Sequence, residues 1–486
     1  MVEFVFYGKA EESFLRQRSR VLWLAEGDNN STFFHNNMRD RFNRNKILSL
    51  TLPDGTRIHE TEQIHKEAVR HFQSILQEPP SDDLSYTLTD IDVTKRIPAK
   101  AVAGLVKPVT EEEIKAAMFS IHPSKAPGPD GFNAHFYRRT WHIIGHDVVK
   151  AILSFFQFGR ILRELNHTSV SLIPKVQNPA SLNEYRPISC CKVLYKVISK
   201  ILANRLKGVL PSLIDPSQAA FVPGRHLSDN ILIAQDLVWN YHRRDLSSWC
   251  TVKVDLQKAF DSLWWEFLLD LLHKMGFPCL FVDWIKSCII SPKFSINING
   301  EPVGFFSSTR GLRQGDPISS YLFVIAMEAL SMLISKRVRE QQSFAFHWRC
   351  NLTRMTHLSF ADDLMLFCGD SEESASILKK ALTDFSSASG LHLNASKSCV
   401  FIASPDERYK QVVLRIFGFP LGSLPIRYLG IPLITTRLTY GDCLPMIECI
   451  TMQVKSWTTK FLSYAGRLQL IQSVLFRVQG FWTSLL

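Results

Sequence analysis

The sequence predicts an α+β fold, in which short strands alternate with helices along most of the 486 residues. Three observations support this class. Residues 251–256 alternate apolar and polar side chains, as a strand does. The pair at 299–300 is Asn-Gly between two apolar stretches, which is the signal of a two-residue hairpin. Two further apolar stretches flank Ala-Asp-Asp at 361–363 and are predicted to be short strands. Segments with helical periodicity lie between these three strand regions.

Composition excludes several classes of protein. The chain is 46% hydrophobic, which excludes a disordered or collagen-like protein, and its length suits about two to four folded units. Its ten cysteines include no Cys-x-x-Cys pair and no His/Cys group at zinc spacing, so a reduced intracellular protein is expected. No apolar run approaches the length of a membrane span, and none at the amino terminus suits a signal peptide.

The amino-terminal part of the chain is predicted to be a mostly helical connector over residues 1–78, interrupted by a turn at 53–56. The segment that follows is rich in Pro, Ser and Asp, which predicts a linker over 79–107. A new domain is expected to start at about 108, because Thr110 and Glu113 form a capping box at the start of a helix. Residues 125–131 can be neither helix nor central strand, since they contain two prolines and two glycines.

Periodicity predicts the remaining elements. Helices are predicted over 194–209, 262–275, 318–336 and 373–389, a strand over 399–402, and a mostly helical remainder from about 407. Gly276 and Gly390 are predicted to end two of these helices. In the helix that starts at 194, the lysines are expected to lie largely off the apolar stripe; they are Lys192, Lys196, Lys200 and Lys207.

Positive charge is concentrated in one segment. The whole chain carries a net charge of +11, but residues 132–210 hold twelve basic and three acidic side chains, a net of +9. Residues 251–370 hold twelve of each sign. A local basic stripe suggests a polyanionic partner such as nucleic acid, while a solvated helix face explains such a run equally well.

Three carboxylates stand next to predicted strands. Asp362 and Asp363 lie between two apolar stretches, and Asp255 ends the strand at 251–256. A carboxylate among apolar residues is costly unless it is paired, and hard divalent cations prefer oxygen ligands. Two Mg²⁺ ions ~3.5–4 Å apart can activate a hydroxyl and stabilise a leaving pyrophosphate. Alone, however, an Asp-Asp pair is more often a solvated hairpin turn.

The loop at 310–320 places two glycines and a proline just before a helix. Such backbone allows the close approach of a nucleotide or a template strand. The same pattern is also found in ordinary loops that cap a helix.

Taken together, these segments identify a family resemblance. The chain resembles the reverse transcriptases of non-LTR (LINE-type) retrotransposons, most closely the plant group, over nearly all of its length. Nine collinear motifs carry the resemblance: KAPGPDGF (125–132), LIPK (172–175), YRPIS (185–189), QAAFVPGR (218–225), DLQKAFD (255–261), GLRQGDPIS (311–319), FADD (360–363), SGLHLNASK (389–397) and YLGIPL (428–433).

The resemblance implies a right-hand polymerase with fingers, palm and thumb, within the α+β class. The implied reverse transcriptase domain covers 108–433, with fingers at about 108–210 and palm at about 211–405. Residues 434–486 are then a partial helical thumb.

The resemblance also implies a metal site. Asp255 and Asp362 would hold two Mg²⁺ ions, for which Mn²⁺ is a possible substitute. The carbonyl of Leu256 would be a further ligand, with Asp363 in support. Lys397 would be the general acid that protonates pyrophosphate.

The remaining implied roles concern the nucleotide. Lys175 and Arg186 would clasp the triphosphate, for which a point cation and a bidentate fork are suited. Phe260 would be a sugar gate, whose ring leaves no room for a ribose 2′-hydroxyl. Gln314 and Gly315 would position template and nucleotide. Outside the family, Lys175 and Arg186 would be ordinary surface cations and Phe260 a core aromatic.

The implied partners are an RNA template, a DNA primer and deoxynucleoside triphosphates, in the nucleus or cytoplasm and without a membrane. The oligomeric state is left open. No endonuclease or RNase H segment is evident, so a truncated element is expected. The alternatives are a catalytically silent remnant that at most binds nucleic acid, and a group II intron maturase-like polymerase, which would need a basic segment after the thumb.

Overall fold

A computed structural model of the protein describes residues 39–40, 42–77, 91–241, 249–435, 439–456, 468 and 471–483. The strands are, in chain order, β1 (Leu50–Thr51), β2 (Arg57–Ile58), β3 (His167–Pro174), β4 (Tyr185–Cys191), β5 (Trp249–Val254), β6 (Lys293–Ile298), β7 (Glu301–Ser307), β8 (His357–Phe360), β9 (Asp363–Gly369), β10 (Cys399–Ala403), β11 (Ile426–Tyr428) and β12 (Ile431–Leu433).

Helices surround these strands, and the predicted α+β class is confirmed. The main helices are α1 (Thr61–Leu76), α2 (Ala99–Val106), α3 (Glu111–Ser120), α4 (Ala134–Arg139), α5 (Trp141–Phe158), α6 (Val193–Lys207), α7 (Leu210–Leu213), α8 (Leu227–Val238), α9 (Ala259–Ser262), α10 (Trp265–Lys274), α11 (Cys279–Ile290), α12 (Ser319–Glu340), α13 (Glu372–Ser389), α14 (Glu407–Phe417), α15 (Tyr440–Ser456) and α16 (Phe476–Thr483).

Sheet I has the strand order β4-β3-β6-β7. The central pair β3 and β6 is parallel, and both outer pairs are antiparallel. The predicted hairpin at Asn299 and Gly300 is confirmed, since both residues have positive φ (54° and 102°), as a tight two-residue turn requires. This hairpin belongs to the predicted palm range 211–405, yet it pairs with β3 of the predicted fingers range.

Sheet II has the order β10-β5-β9-β8 and is antiparallel throughout. The strands predicted on both sides of 361–363 are confirmed as β8 and β9. Phe360 pairs directly with Asp363, so Ala361 and Asp362 form a two-residue loop between the strands. Sheet II thereby brings the end of β5 next to the start of β9, although more than a hundred residues separate them in the chain.

Helices α12 and α13 pack together beside sheet II. The helix predicted at 318–336 is confirmed and continues to Glu340. The helix predicted at 373–389 is confirmed as α13, and Gly390 ends it with φ 76°. The helix predicted at 262–275 is confirmed as α10, which begins only at Trp265, because Leu263 and Trp264 are extended and Trp264 forms a bridge with Arg310. Ser262 ends the separate short helix α9.

Helix α6 differs from the amphipathic surface helix that the sequence predicts. It packs against α2, α3, α5 and α12 and is buried on several faces. Lys196 is only 8% exposed, and its Nζ donates to the carbonyl of Ala126 at 2.8 Å. Arg205 is also buried and pairs with Glu113 at 2.9 Å. Two of the twelve cations of the basic segment are therefore structural.

Helix α1 covers the apolar face of sheet I. Ile64, Ala68 and Phe72 are buried there with Val170 and Phe294 of the sheet. The predicted linker range contains α2, whose Leu105 is buried in the main core. Much of the predicted connector, residues 1–38, and the linker residues 79–90 lie outside the described residues.

The carboxy-terminal segment contains α15 and α16, in agreement with the helical remainder that the sequence predicts. Residues 436–438, 457–467, 469–470 and 484–486 of the predicted thumb lie outside the described residues. Among the helices of the described ranges, none combines the length and apolarity that a membrane crossing requires.

Candidate active site

Three carboxylates meet at one end of sheet II. Val254 pairs with Leu364, so Asp255 directly follows this pair on one strand and Asp363 directly precedes it on the other. Asp362 occupies the adjoining loop. Although Asp362 is exposed as a residue, protein around its carboxylate partly desolvates it, and this effect together with the Asp255 charge raises its pKa. Desolvation and the charge of Asp362 likewise raise the pKa of Asp363. Mutually repelling carboxylates of this kind favour a bound cation.

Asp255 is oriented by the segment that precedes β10. The Nδ2 of Asn394 donates to Oδ2 of Asp255 at 3.0 Å, and the Asn394 main-chain N–H donates to the Asp255 carbonyl at 2.8 Å. The main-chain N–H of Asp255 donates to Oγ of Ser398 at 3.0 Å. Neither Asn394 nor Ser398 is among the functional residues predicted from the sequence. The only sequence signal for Asn394 is its position inside the motif at 389–397.

The carboxylates of the site provide part of the oxygen ligands that Mg²⁺ prefers. Within the described ranges, no group of three or more His, Cys, Asp or Glu side chains is arranged to hold a metal ion. Mg²⁺, however, is usually bound in nucleotide-processing sites by one or two carboxylates plus substrate phosphates. Asp255 and Asp362 provide such a pair. Leu256 is buried and forms an isolated bridge with Leu393, and its role as a ligand stays a prediction.

Three predicted cations lie near Asp255. Lys175 lies just beyond β3, where its Nζ donates to the carbonyl of Asn183 at 2.8 Å. Partial burial and the charges of Lys397 and Arg186 lower the pKa of Lys175, and the opposing effects of Asp261 and Asp255 are smaller. Lys175, Arg186 and Lys397 are therefore close enough to one another and to Asp255 to interact electrostatically.

The loop before α12 is held rigidly by a buried ion pair. Arg313 and Asp316 are paired at 3.2 Å, with both side chains at most 5% exposed. Asp316 also accepts hydrogen bonds from the hydroxyls of Tyr195 (2.6 Å) and Ser199. Arg313 stacks on the ring of Tyr195 and donates to Oδ1 of Asn166 at 2.6 Å. Because both ends of the segment 313–316 are fixed, the two residues between them are fixed as well.

Those two residues are Gln314 and Gly315. The carbonyl of Gln314 accepts from the N–H of Ser189 at 2.8 Å, which ties the loop to β4. Gly315 has φ 104°, a conformation that favours glycine. The Nε2 of Gln314 donates to both carboxylate oxygens of Asp261, at 3.3 and 3.4 Å.

Asp261 is a further acidic residue near Lys175, and the sequence analysis predicts no role for it. Burial raises its pKa to about 7, against the lowering effects of Lys258 and of the Gln314 hydrogen bond. Its position in the motif at 255–261, six residues after Asp255, is the signal that would have found it.

Phe260 directly precedes Asp261 in the chain, and contacts with the core hold it in place. Its ring stacks on Phe323 with centroids 4.6 Å apart, and its carbonyl accepts from the N–H of Leu312 at 2.6 Å. The side chain is partly buried. A fixed ring suits both a core aromatic and a sugar gate, so the gate role stays a prediction.

Comparison with known proteins identifies the class. Residues 173–433 match the family described as "Reverse transcriptase (RNA-dependent DNA polymerase)". This match covers more than half of the chain, which therefore belongs to the reverse transcriptase family. The predicted enzyme class, RNA-directed DNA polymerase, is confirmed at the level of the family. Reverse transcriptases in general use divalent metal ions.

The relatives are proteins of transposable elements. The chain is 27% identical to the Transposon TX1 uncharacterized 149 kDa protein of Xenopus laevis, over 94% of this chain and 35% of that protein. It is 30% identical to the Retrovirus-related Pol polyprotein from type-2 retrotransposable element R2DM of Drosophila melanogaster, over 66% of this chain and 30% of that protein. The predicted relation to non-LTR retrotransposon reverse transcriptases is confirmed, and the chain spans about a third of the length of these relatives.

One solved structure is also similar. The structure of apo telomerase from Candida tropicalis, truncated from its C-terminal domain, aligns with a TM-score of 0.37 at 11% identity. The alignment covers 58% of this chain and 59% of that chain.

Proposed function

We propose that this chain is the polymerase core of a LINE-type retrotransposon, which adds deoxynucleotides to the 3′ hydroxyl of a DNA primer along an RNA template. The observation that carries the proposal is the meeting of Asp255, Asp362 and Asp363 at the end of sheet II, opposite Lys175 and its neighbouring cations. Carboxylates for metal ions beside cations for phosphates are the groups that phosphoryl transfer needs.

The carboxylates would bind the metal ions. Asp255 and Asp362 would hold two Mg²⁺ ions, with the carbonyl of Leu256 as a further ligand and Asp363 in support. When bound, such ions lower the pKa of the attacking hydroxyl and neutralise the leaving pyrophosphate. The raised pKa values of Asp362 and Asp363 support this assignment, because desolvation and neighbouring carboxylates disfavour the charged forms, and a bound cation would offset both effects.

The cations would bind the triphosphate. Lys175, just beyond β3, and Arg186, on β4, are both exposed, and Lys175 interacts electrostatically with Arg186 and Asp255, which supports a role for the two cations at phosphates bound near the carboxylates. Lys397 would protonate the departing pyrophosphate. Its main-chain N–H donates to the carbonyl of Asn394, the residue that holds Asp255, so the backbone of Lys397 is tied to the segment that orients the proposed metal ligand.

The remaining residues would select the nucleotide. Gln314 and Gly315 would position template and nucleotide from a loop that the Arg313–Asp316 pair holds rigidly. Phe260 would exclude a ribose 2′-hydroxyl. A ring stacked on the fully buried Phe323 cannot move aside easily, which is the property that a steric gate requires.

The proposed subdomains follow the sheets. Sheet II would lie in the palm (about 211–405) and β3 and β4 in the fingers (about 108–210), with the hairpin β6–β7 extending the fingers from within the palm sequence. Residues 434–486 would form part of the thumb. Eight cations of the segment 132–210 remain besides the buried Lys196 and Arg205 and the proposed triphosphate contacts Lys175 and Arg186, and they would contact the phosphates of the template. We propose the nucleus or cytoplasm as the compartment.

Primer extension tests the proposal. Purified protein with Mg²⁺, poly(rA)/oligo(dT) and dTTP is expected to extend the primer. Asp362→Asn is expected to abolish extension. Asp370→Asn is the matched control, because Asp370 is exposed just beyond the other end of β9 and is expected to leave extension unchanged. Incorporation by the wild-type protein that does not exceed the Asp362→Asn background would favour the alternative, a catalytically silent remnant that at most binds nucleic acid.

A further inference from the structure

The loop that carries Asp362 has an unfavourable backbone conformation. Ala361 has φ 55°, in the left-handed region that residues with a Cβ rarely adopt. A two-residue hairpin loop nevertheless needs positive φ at its first position. An interaction from outside the hairpin must therefore help to maintain this loop, and the motif at 218–225 provides one.

Gln218 holds the loop through a single oxygen atom. Its side chain belongs to a residue that is only 2% exposed, and its Oε1 accepts from the N–H of Ala361 at 3.0 Å and from the N–H of Ala220 at 3.0 Å. Only the oxygen of an amide can accept, so these two donors fix the orientation of the group. The Nε2 has no hydrogen-bond partner among the described residues, so the two bonds to Oε1 are what holds the amide.

The segment around Gln218 also pairs with β8 just before the loop. Gln218 forms an isolated parallel bridge with Ser359. The N–H of Ser359 donates to the carbonyl of Ser217 at 2.9 Å, and the N–H of Ala219 donates to the carbonyl of Ser359 at 3.1 Å. The Nδ2 of Asn230 donates to the same Ser359 carbonyl at 2.8 Å. Residues 217–220 thus act as a short additional strand at the edge of sheet II.

This short strand is itself braced. The guanidinium of Arg225 donates to the carbonyls of Ile214 (2.8 Å), Gln218 (2.5 Å) and Asp215. The main-chain N–H of Asp215 donates to Glu328 on the buried helix α12 at 2.7 Å. The position of Gln218 is therefore tied to the core of the protein through Arg225 and Asp215, in addition to its pairing with β8.

We propose that Gln218 is a positioning residue for Asp362, which it acts on by fixing the N–H of Ala361 and with it the conformation of the loop. The proposal rests on the proposed function, in which Asp362 is a metal ligand. Loss of the Gln218 acceptor leaves the Ala361 N–H without its partner and removes the support for positive φ. The Asp362 carboxylate then departs from the position that metal binding needs, while Lys175 and the other triphosphate contacts are unaffected.

Gln218→Met tests the proposal, because methionine is of similar length and has no comparable acceptor. The matched control is Gln235→Met, since Gln235 also accepts from a main-chain N–H, that of Ile434 at 3.0 Å, and lies away from the loop. Two readouts are measured for each variant with poly(rA)/oligo(dT): Mn²⁺ affinity in the presence of dTTP, from the electron paramagnetic resonance signal of free Mn²⁺, and the kcat and KM for dTTP. Circular dichroism confirms folding.

We expect Gln218→Met to weaken Mn²⁺ binding and to lower kcat by about 10- to 100-fold, with KM for dTTP within about twofold, since small displacements of a reacting group have effects of this size. Gln235→Met is expected to match the wild-type protein. Mn²⁺ affinity and kcat that stay within twofold of wild type in Gln218→Met would overturn the proposal. An equal loss in Gln235→Met would overturn it as well, because it would show a general effect of removing a glutamine amide that accepts from a main-chain N–H.

A second variant covers the case in which Gln218→Met does not fold. Gln218→Glu has the same shape and keeps an oxygen acceptor, so its Mn²⁺ affinity is expected to stay near that of wild type, whereas Gln218→Leu, which lacks the acceptor, loses it. Equal Mn²⁺ affinities of these two variants would overturn the proposal. Failure of the proposed function is distinguishable: wild-type protein that binds Mn²⁺ but does not extend a primer contradicts the polymerase activity alone, and wild-type protein that binds no Mn²⁺ overturns both.

Discussion

Asn394 donates its Nδ2 hydrogen to Oδ2 of Asp255 at 3.0 Å, although 139 residues separate the two in the chain. A second bond joins the main-chain N–H of Asn394 to the carbonyl of Asp255. Asn394 thus binds one carboxylate oxygen and the main-chain carbonyl of Asp255, and it does not contact the other carboxylate oxygen, Oδ1. A carboxylate oriented in this way needs no rearrangement to bind a cation.

Asn394→Ala is therefore expected to lower kcat for primer extension by roughly 10- to 100-fold, because a hydrogen bond to a charged group contributes about 1.5–3 kcal/mol. Steady-state kinetics with poly(rA)/oligo(dT) measure the effect. Asn351→Ala, at an exposed position, is the control. A kcat equal to that of the control would show that Asn394 does not orient Asp255 for catalysis.

Phe260→Val is expected to admit ribonucleotides, because the smaller side chain leaves space for a 2′-hydroxyl. The ratio of kcat/KM for dTTP to that for UTP measures sugar discrimination, and it should fall by ~10-fold or more, since steric rejection of one group is worth about 1–3 kcal/mol. Both substrates are tested on the same variant, so any loss of folded protein cancels in the ratio. Unchanged discrimination would assign the Phe260 ring, stacked on Phe323, to the core alone.

Asp261 is expected to make stability depend on pH. Its pKa in the folded protein, about 7, lies above the ordinary value of 3.8, so folding takes up a proton between these two values. The free energy of unfolding therefore falls as pH rises through this window and changes no further above it. Asp261→Asn removes the contribution. The Tm of this variant minus the Tm of the wild-type protein should increase from pH 5 to pH 7.5. A difference that stays constant would contradict the raised pKa of Asp261.

Arg313→Met is expected to destabilise the protein by about 3–5 kcal/mol, because it leaves Asp316 buried without its partner. Chemical denaturation measures the loss. Arg339→Met is the matched control, since the Arg339–Asp92 pair has both side chains more than half exposed and is expected to contribute less than ~1 kcal/mol. Equal effects of the two substitutions would mean that the pair before α12 does not hold its loop.

The basic segment is expected to determine the salt dependence of template binding. Lys192, Lys200 and Lys207 are at least partly exposed, and neutralising them should reduce the slope of log affinity against log salt by up to ~0.9 per lost phosphate contact. Fluorescence anisotropy of labelled poly(rA)/oligo(dT) measures the slope. Lys66→Gln on α1, paired with Glu62, is the control. An unchanged slope in the triple variant would assign these lysines to a solvated face.

Local sequence patterns were sufficient to predict much of the fold. Strands β5, β8 and β9, the Asn299–Gly300 turn and the end of α13 at Gly390 were all predictable, because each depends on a few neighbouring residues. The division between α9 and α10 was not predictable. It depends on the bridge between Trp264 and Arg310, two residues that periodicity does not connect.

Local sequence patterns also could not predict which charged side chains are buried. Lys196 and Arg205 have the spacing of surface residues, yet helices on several sides cover α6 and provide Ala126 and Glu113 as partners. Whether a cation faces solvent or a buried acceptor depends on elements that lie far away in the chain.

The sequence by itself determined the family and the residues predicted to form the site, because both depend on short motifs whose order along the chain is evident without the fold. Only the tertiary structure decided which residues hold those groups in place. Gln218 reaches Ala361 across 143 residues, and Asn394 reaches Asp255 across 139. Hydrogen bonds act over about 3 Å, so such partners are defined by strand pairing and packing and not by distance along the chain.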